Sequence, residues 1–348
     1  MGDIVHALPA VASLKQSFPG AELTWVVEPQ WAALLEANPF VDRTVLVRRR
    51  DAAGLLASWR ELRSARFDFA VDFQGLVKSA VVAAIARPER IFGWDRGQLR
   101  EAAAGVFYTH RASSSAAHVV DRNLDLAAAA GARDALRVFP LPAGRSEAPL
   151  PDGDFVLASP MAGWRSKQWP IESYLALGRL LRRELRLPLV LNGPLGGRWD
   201  GGLTDGSVCP TLPPQDSQPS GAGVSACQPA ASPLPAALDG VWLHACGLPG
   251  LLDATRRAAA VVGVDSGPMH LAAALGKPGV ALFGPTDPAR NGPYGNSLSV
   301  LRWPGAVTTY KRLDAVDESM RRIAVGEVFE SLRAALGRAR GESSSGPR

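Results

Sequence analysis

Apolar and polar positions alternate along the chain in two periods, one of strands and one of helices. Ile4 to Ser17 has helical spacing and is entered through Gly2-Asp3. Ala21 to Glu28 (AELTWVVE) reads as a strand and Trp31 to Ala37 as a helix. Val45 to Val47 reads as a short strand and Leu55 to Arg63 as a helix. Phe69 to Phe73 (FAVDF) reads as a buried strand, followed by a helix from about Lys78. His118 to Ala130 is a long helix closed by Gly131. A second series has strands at Phe155–Ser159, Pro188–Asn192, Val241–Leu243, Val261–Val264 and Val280–Phe283. Its helices are Ile171–Leu185, Leu251–Ala259, Met269–Leu275 and a long one over about Asp317–Leu336. Short apolar strands separated by helices imply parallel sheets with covered faces.

The proline-rich stretch 140–153 separates the two series. The expected class is α/β with two Rossmann-like domains facing a cleft, over 1–145 and 154–336, and a disordered tail over 337–348. Two features break the pattern. No strand precedes the loop at Gly2-Asp3, so the first domain reads as lacking its first strand. Residues 192–240 hold 22 Gly, Pro or Ser among 49, and no Ile, Phe, Tyr or Lys. That stretch reads as a low-complexity insertion or a damaged reading frame.

Composition narrows the function classes. With 47% hydrophobic and 20% charged residues, most of the 348-residue chain is expected to fold. Lys and Arg exceed Asp and Glu by 38 to 33, a charge of +5. That suits an anionic ligand or membrane surface, and no nucleic-acid signature accompanies it. Cys209, Cys227 and Cys246 form no metal or redox spacing, so a reducing cytosol is the default. No secretory signal or spanning segment is evident, so membrane contact is expected to be peripheral.

Candidate chemistry concentrates in three segments. In VVGVDSGPMHLAAALGKPGVALFGPTDP a strand runs into Asp265-Ser266-Gly267-Pro268 and a helix then opens. The free N–H groups of such a helix make a phosphate site, although Asp265 or Ser266 capping an ordinary turn fits equally well. Spacing excludes a nucleophile elbow, because Gly263–Gly267 is G-x-x-S-G. In SPMAGWRSKQWP, Lys167 sits on a loop from which an ammonium reaches phosphate, or else lies on the surface beside a buried Trp169. In MGDIVHALP, Asp3 at a loop-to-helix junction is either a general base or an N-cap. Arg48, Arg49 and Arg50 form a solvated face or an anion site, and Asp72 in AVDFQGLVKSA is read as a cap or support. Asp152-Gly153-Asp154 reads as a turn, and His6, His110, His118, His244 and His270 show no paired metal spacing.

MGDIVHALPA, VDFQGLVKSA, HVVDRNLDL, GWRSKQWP and GVDSGPMHLAAALGKPGVALFGPTDP, in this order, resemble the ADP-heptose–lipopolysaccharide heptosyltransferases of glycosyltransferase family 9. The opening, QGLVKSA and HVVDRN favour the heptosyltransferase I branch. The resemblance implies a GT-B fold and inverting, metal-independent transfer of L-glycero-D-manno-heptose from ADP-heptose to Kdo of Kdo-lipid A, without a cofactor. It implies a location at the cytosolic face of the inner membrane. Matched position by position, it makes Asp3 the general base and Lys167 the pyrophosphate ligand. Asp265, Ser266, Gly267 and His270 become the donor-binding turn, and Arg48, Arg49 and Arg50 face the acceptor. Cys246 to Leu248 falls loosely near the adenine side. A decayed, non-catalytic sugar-nucleotide-binding relative, a heptosyltransferase II-type enzyme and another GT-B enzyme remain alternatives.

Overall fold

The computed structural model describes residues 1–48, 52–194 and 240–344. They fall into two units. The first comprises 1–143 with 270–276 and 287–296, and the second holds the remainder. The break expected after 145 therefore stands two residues earlier. Two later segments also belong with the N-terminal half instead of the second domain.

In the first unit, α1 (Gly2–Ser17) precedes β1 (Thr24–Val27), β2 (Arg43–Leu46) and α2 (Ala52–Arg63). Then come β3 (Phe69–Val71), α3 (Val77–Ile85), β4 (Arg90–Trp94), β5 (His110–Ala112) and α4 (Val119–Ala129). β1 pairs parallel with β2, and β3, β4 and β5 form a separate parallel sheet. Among the described residues neither β1 nor β3 has a second partner strand. β3 is consequently only half-buried along its length, where a buried strand was expected. α1 packs on α4 through Ala10, Leu14, Leu126 and Ala127. The segment Trp31–Ala37 is a 3-10 turn over Pro29–Leu35 instead of an α-helix, opened by Pro29 and followed by Asn38-Pro39.

The second unit is one six-stranded parallel sheet. Its strands are β6 (Val156–Ser159), β7 (Leu189–Pro194), β8 (Val241–Cys246), β9 (Ala260–Val264), β10 (Gly279–Phe283) and β11 (Leu298–Arg302). Their order is β8-β7-β6-β9-β10-β11, the doubly wound order in which the chain reverses direction between β6 and β9. Its helices are α5 (Ile171–Leu180), α6 (Leu248–Arg257) and the opening of α7 (Gly267–Ala274), which passes into the first unit from His270 on; α8 (Pro288–Asn291) belongs to the first unit, and α9 (Glu318–Arg321) and α10 (Val325–Ser344) to the second. Every residue of β6, β9 and β10 is buried. Val262, Leu282, Leu332 and Tyr174 are among the side chains that fill this core.

The long C-terminal helix expected over Asp317–Leu336 is two helices. The break leaves the Ile323 carbonyl free to accept from Trp169 Nε1 at 3.1 Å. The tail expected to be disordered from 337 is helical to Ser344. Likewise Ile171–Leu185 is α-helical only to Leu180 and closes in a π-turn, with Arg186 at φ 57°. The low-complexity stretch lies outside the described residues from 195 to 239, as do Cys209 and Cys227.

β9 and β10 approach so closely at Gly279 that a Cβ there would sit 2.0 Å from the Val261 carbonyl oxygen. Gly279→Ala is expected to destabilise the second unit by about 2–3 kcal/mol through forced separation of the strands. Thermal unfolding checks this, and an unshifted transition contradicts it.

Candidate active site

In open parallel sheets ligands bind at the carboxyl ends of the strands flanking the reversal. Here those strands are β6 and β9. The loop after β6 carries Trp164, Lys167 and Trp169, and β9 runs directly into Asp265, Ser266 and α7. Trp169 anchors the loop, being buried edge-on against Tyr174 at 4.9 Å between ring centres. A single 3-10 turn, Arg165–Lys167, then sets Lys167 back toward β9. Its ammonium lies 2.6 Å from Asp265 Oδ2 and 4.2 Å from the centre of the Trp164 ring. The Thr286 hydroxyl donates to the same carboxylate oxygen at 2.7 Å. Side-chain exposure is 15% for Lys167 and 7% for Asp265, so each charge is held largely out of water by the other. Sequence reasoning chose both residues separately. The structure makes them a pair and adds Thr286, which no local pattern marks.

α7 starts at Gly267, immediately after β9. The Met269 N–H donates to the Ser266 carbonyl at 3.2 Å. The Ser266 hydroxyl is buried and has no hydrogen-bond partner among the described residues. An unsatisfied hydroxyl at the positive end of a helix is a polar arrangement suited to an anion.

His270 is the next residue of this helix after Met269, and it belongs with the first unit. Its Nδ1 lies 3.1 Å from His6 Nε2, and the two rings meet edge-on with centres 4.2 Å apart. A Cβ on Gly2 would stand 3.0 Å from the His270 ring, so a glycine lets the imidazole lie against the start of α1. His118 caps α4, with Nδ1 accepting from Val120 N–H and Nε2 bonded to the Gly292 carbonyl at 3.1 Å. Burial lowers its pKa, in keeping with a neutral ring that accepts at one nitrogen and donates at the other.

Asp3 lies within the first turn of α1 and makes no cap, since Met1 holds that position. Arg100 donates to both of its oxygens, at 2.8 Å to Oδ1 and 3.1 Å to Oδ2. Gln74 Nε2 donates to Oδ2 at 3.0 Å. Burial alone would raise the pKa of Asp3. The bidentate guanidinium and Gln74 outweigh it and hold the carboxyl below its ordinary value. Gln74 is placed by Asp72, whose Oδ1 accepts the Gln74 N–H at 2.9 Å. The other oxygen of Asp72 accepts from Ser79 at 2.8 Å and from the buried Tyr108 phenol at 2.7 Å. Glu101 binds the Val77 N–H at 2.7 Å and joins the segment carrying Arg100 to this turn.

Arg100 is absent from the sequence reading because it sits between two 3-10 turns, where no periodicity singles it out. Arg48 is exposed beyond β2, while Arg49 and Arg50 lie outside the described residues. Asp152 and Asp154 are exposed in a turn, and Cys246 is buried with Sγ 3.1 Å from Asn192 Oδ1. Among the described residues no three His, Cys, Asp or Glu side chains are grouped to hold a metal ion.

A chain of two α/β units, one of them a doubly wound parallel sheet with a lysine and a helix start at its reversal point, has the fold of GT-B glycosyltransferases. The chain belongs to glycosyltransferase family 9 (heptosyltransferase), whose model matches residues 55–191 and 245–317, and it is a glycosyltransferase. Lipopolysaccharide heptosyltransferase 1 of Pseudomonas aeruginosa is 30% identical over 323 residues, covering 85% of this chain and 79% of that protein. The E. coli heptosyltransferase WaaC with ADP superposes with a TM-score of 0.69 at 22% identity, covering 96% of each chain. The same enzyme with ADP-2-deoxy-2-fluoro heptose gives 0.66 at 23% identity, covering 98% of this chain and 96% of that one.

The depressed pKa of Asp3 links folding to pH. Its pairing stabilises the fold fully above the ordinary carboxyl pKa of 3.8 and is lost as pH falls through the lower folded value. Asp3→Asn is expected to flatten the loss of thermal stability below about pH 4. Parallel pH profiles for variant and wild type contradict the pairing.

Proposed function

We propose that this glycosyltransferase moves L-glycero-D-manno-heptose from ADP-heptose to a Kdo residue of Kdo-lipid A, with inversion and without a metal or cofactor. We place it at the cytosolic face of the inner membrane. Support for the donor comes from relatives named as heptosyltransferases and from the neighbour that carries an ADP-heptose analogue. The observation that carries the reading is the Lys167–Asp265 pair beside the α7 start, at the reversal point of the second sheet.

In this reading the donor diphosphate lies against α7. As the anomeric C–O bond breaks, its electron pair passes to the β-phosphate. Lys167 and the Ser266–Gly267 turn then neutralise the growing charge. Lysine has three N–H donors and Asp265 takes one, so the ammonium keeps others for phosphate oxygens. Preorganised donors of this kind contribute about 3–4 kcal/mol each to the transition state. His270, steadied by His6, borders the same helix start. Arg48, Arg49 and Arg50 supply positive charge for the anionic acceptor on the first unit.

Asp3 takes the proton of the attacking acceptor hydroxyl, whose oxygen bonds the anomeric carbon on the face opposite ADP. A carboxylate offers about four lone-pair positions, and Arg100 and Gln74 occupy three, which leaves one on Oδ1 for that hydroxyl. The guanidinium favours the ionised carboxyl at the cost of some basicity.

Asp3→Ala is expected to lower heptose transfer by about 10²–10⁴-fold while ADP still binds. Arg100→Gln is expected to move the acid limb of the pH–rate profile upward, because the carboxyl loses the charge that lowers its pKa. Transfer by Asp3→Ala at the wild-type rate removes Asp3 from the mechanism, and an unmoved acid limb removes Arg100 from its control.

A further inference from the structure

The residues that α2 buries and those it exposes are reversed from the usual pattern. Gly54, Ser58 and Leu62 face inward, with Ser58 Oγ 2.8 Å from the carbonyl oxygens of both Leu46 and Gly54. The larger apolar side chains point out, with Leu55 44% exposed and Leu56 and Trp59 each 42% exposed. At 100° per residue these three fall within a stripe about 100° wide. By the same count Arg63 falls within the stripe and Arg60 just beyond its edge, and the Arg63 guanidinium stands 5.3 Å from the Trp59 ring centre. The one acidic residue of the helix, Glu61, is spent on Arg43 at 3.1 Å. The Ser58 contacts fix this orientation, so turning the leucines inward would leave a hydroxyl bonded to the β2 backbone without its partner.

We propose that the exposed face of α2 docks on an anionic bilayer surface. Leu55, Leu56 and Trp59 enter the boundary between headgroups and acyl chains, and Arg60 and Arg63 meet lipid phosphates. Trp and Leu on one face with arginine among and beside them is the composition of an interfacial helix. Charge complementarity selects the lipid over a second copy of this chain. A two-fold contact through this face would set each arginine pair against its own copy, and three side chains fall well short of the area a stable dimer buries. For the choice of a bilayer as partner, the inference rests on the proposed lipid-linked acceptor.

The test uses the full chain in co-sedimentation with two vesicle preparations. One is phosphatidylcholine, and the other has roughly a third of its lipid replaced by phosphatidylglycerol. Wild type is expected to sediment with the anionic vesicles only. Substituting Leu55→Ser, Leu56→Ser and Trp59→Ser together is expected to weaken that binding by about tenfold or more. Thermal stability should not change, because these side chains are already exposed. Single Trp59→Ser and Leu55→Ser variants guard against misfolding of the triple one and should each weaken binding. Wild type left in the supernatant, a triple variant that sediments equally, or binding indifferent to phosphatidylglycerol overturns the proposal. A parallel transfer assay with a deacylated, water-soluble acceptor separates the two readings. Failure of wild type there counts against the acceptor assignment, while the sedimentation result alone decides the docking face.

Discussion

Lys167 and Asp265 meet at 2.6 Å with little access to water, and the second sheet is arranged so that they meet. The two strands that deliver them are neighbours only because the chain reverses between β6 and β9. A buried carboxylate without a counter-charge would be costly, and so would a buried ammonium. Paired, they leave a cation whose position is fixed before any ligand arrives. Thr286 holds the carboxylate from β10's side, Trp164 lies under the ammonium, and Trp169 pins the loop. On the proposed reading, a diphosphate arriving here would meet charge that needs no reorganisation, which is the condition for fixed dipoles to favour a transition state.

The first unit applies the same economy to an acid. Asp3 takes no part in capping its helix, and its carboxylate is held from the side by Arg100 and Gln74. Gln74 in turn depends on Asp72, which Ser79 and Tyr108 hold in place. A substitution at Gly93, where a Cβ would come within 2.4 Å of the Tyr108 ring, would thus reach Asp3 through Tyr108, Asp72 and the main chain and side chain of Gln74. Burial pushes the Asp3 pKa up, and the charge that brings it below its ordinary value comes from a distant loop.

What the sequence disclosed follows physical lines. Strands buried on both faces, such as β6, β9 and β10, show as continuous apolar runs and stand within a residue of their expected positions. β11, where Val300 is 40% exposed, and the short β5 carry no such run and are absent from the sequence reading; β4 is absent from it too, although Ile91–Trp94 is buried. Asp3, Lys167, Asp265 and Ser266 stood out because each sits where a strand or loop turns into a helix. Arg100, Thr286 and Tyr108 gave no local signal, since their importance comes only from which elements the fold brings together. The helix α2 shows a limit of the pattern itself. Its Leu and Trp spacing reads as a core stripe, and only the packing of Gly54 and Ser58 shows that it is turned to solvent.

Calorimetric titration of ADP into wild type and Lys167→Met tests the central claim most directly. Loss of a charge-assisted contact worth about 1.5–3 kcal/mol should weaken ADP binding by roughly ten- to a hundredfold in a variant that stays folded. Equal ADP affinity in the two proteins would contradict a diphosphate site at the reversal point of the second sheet.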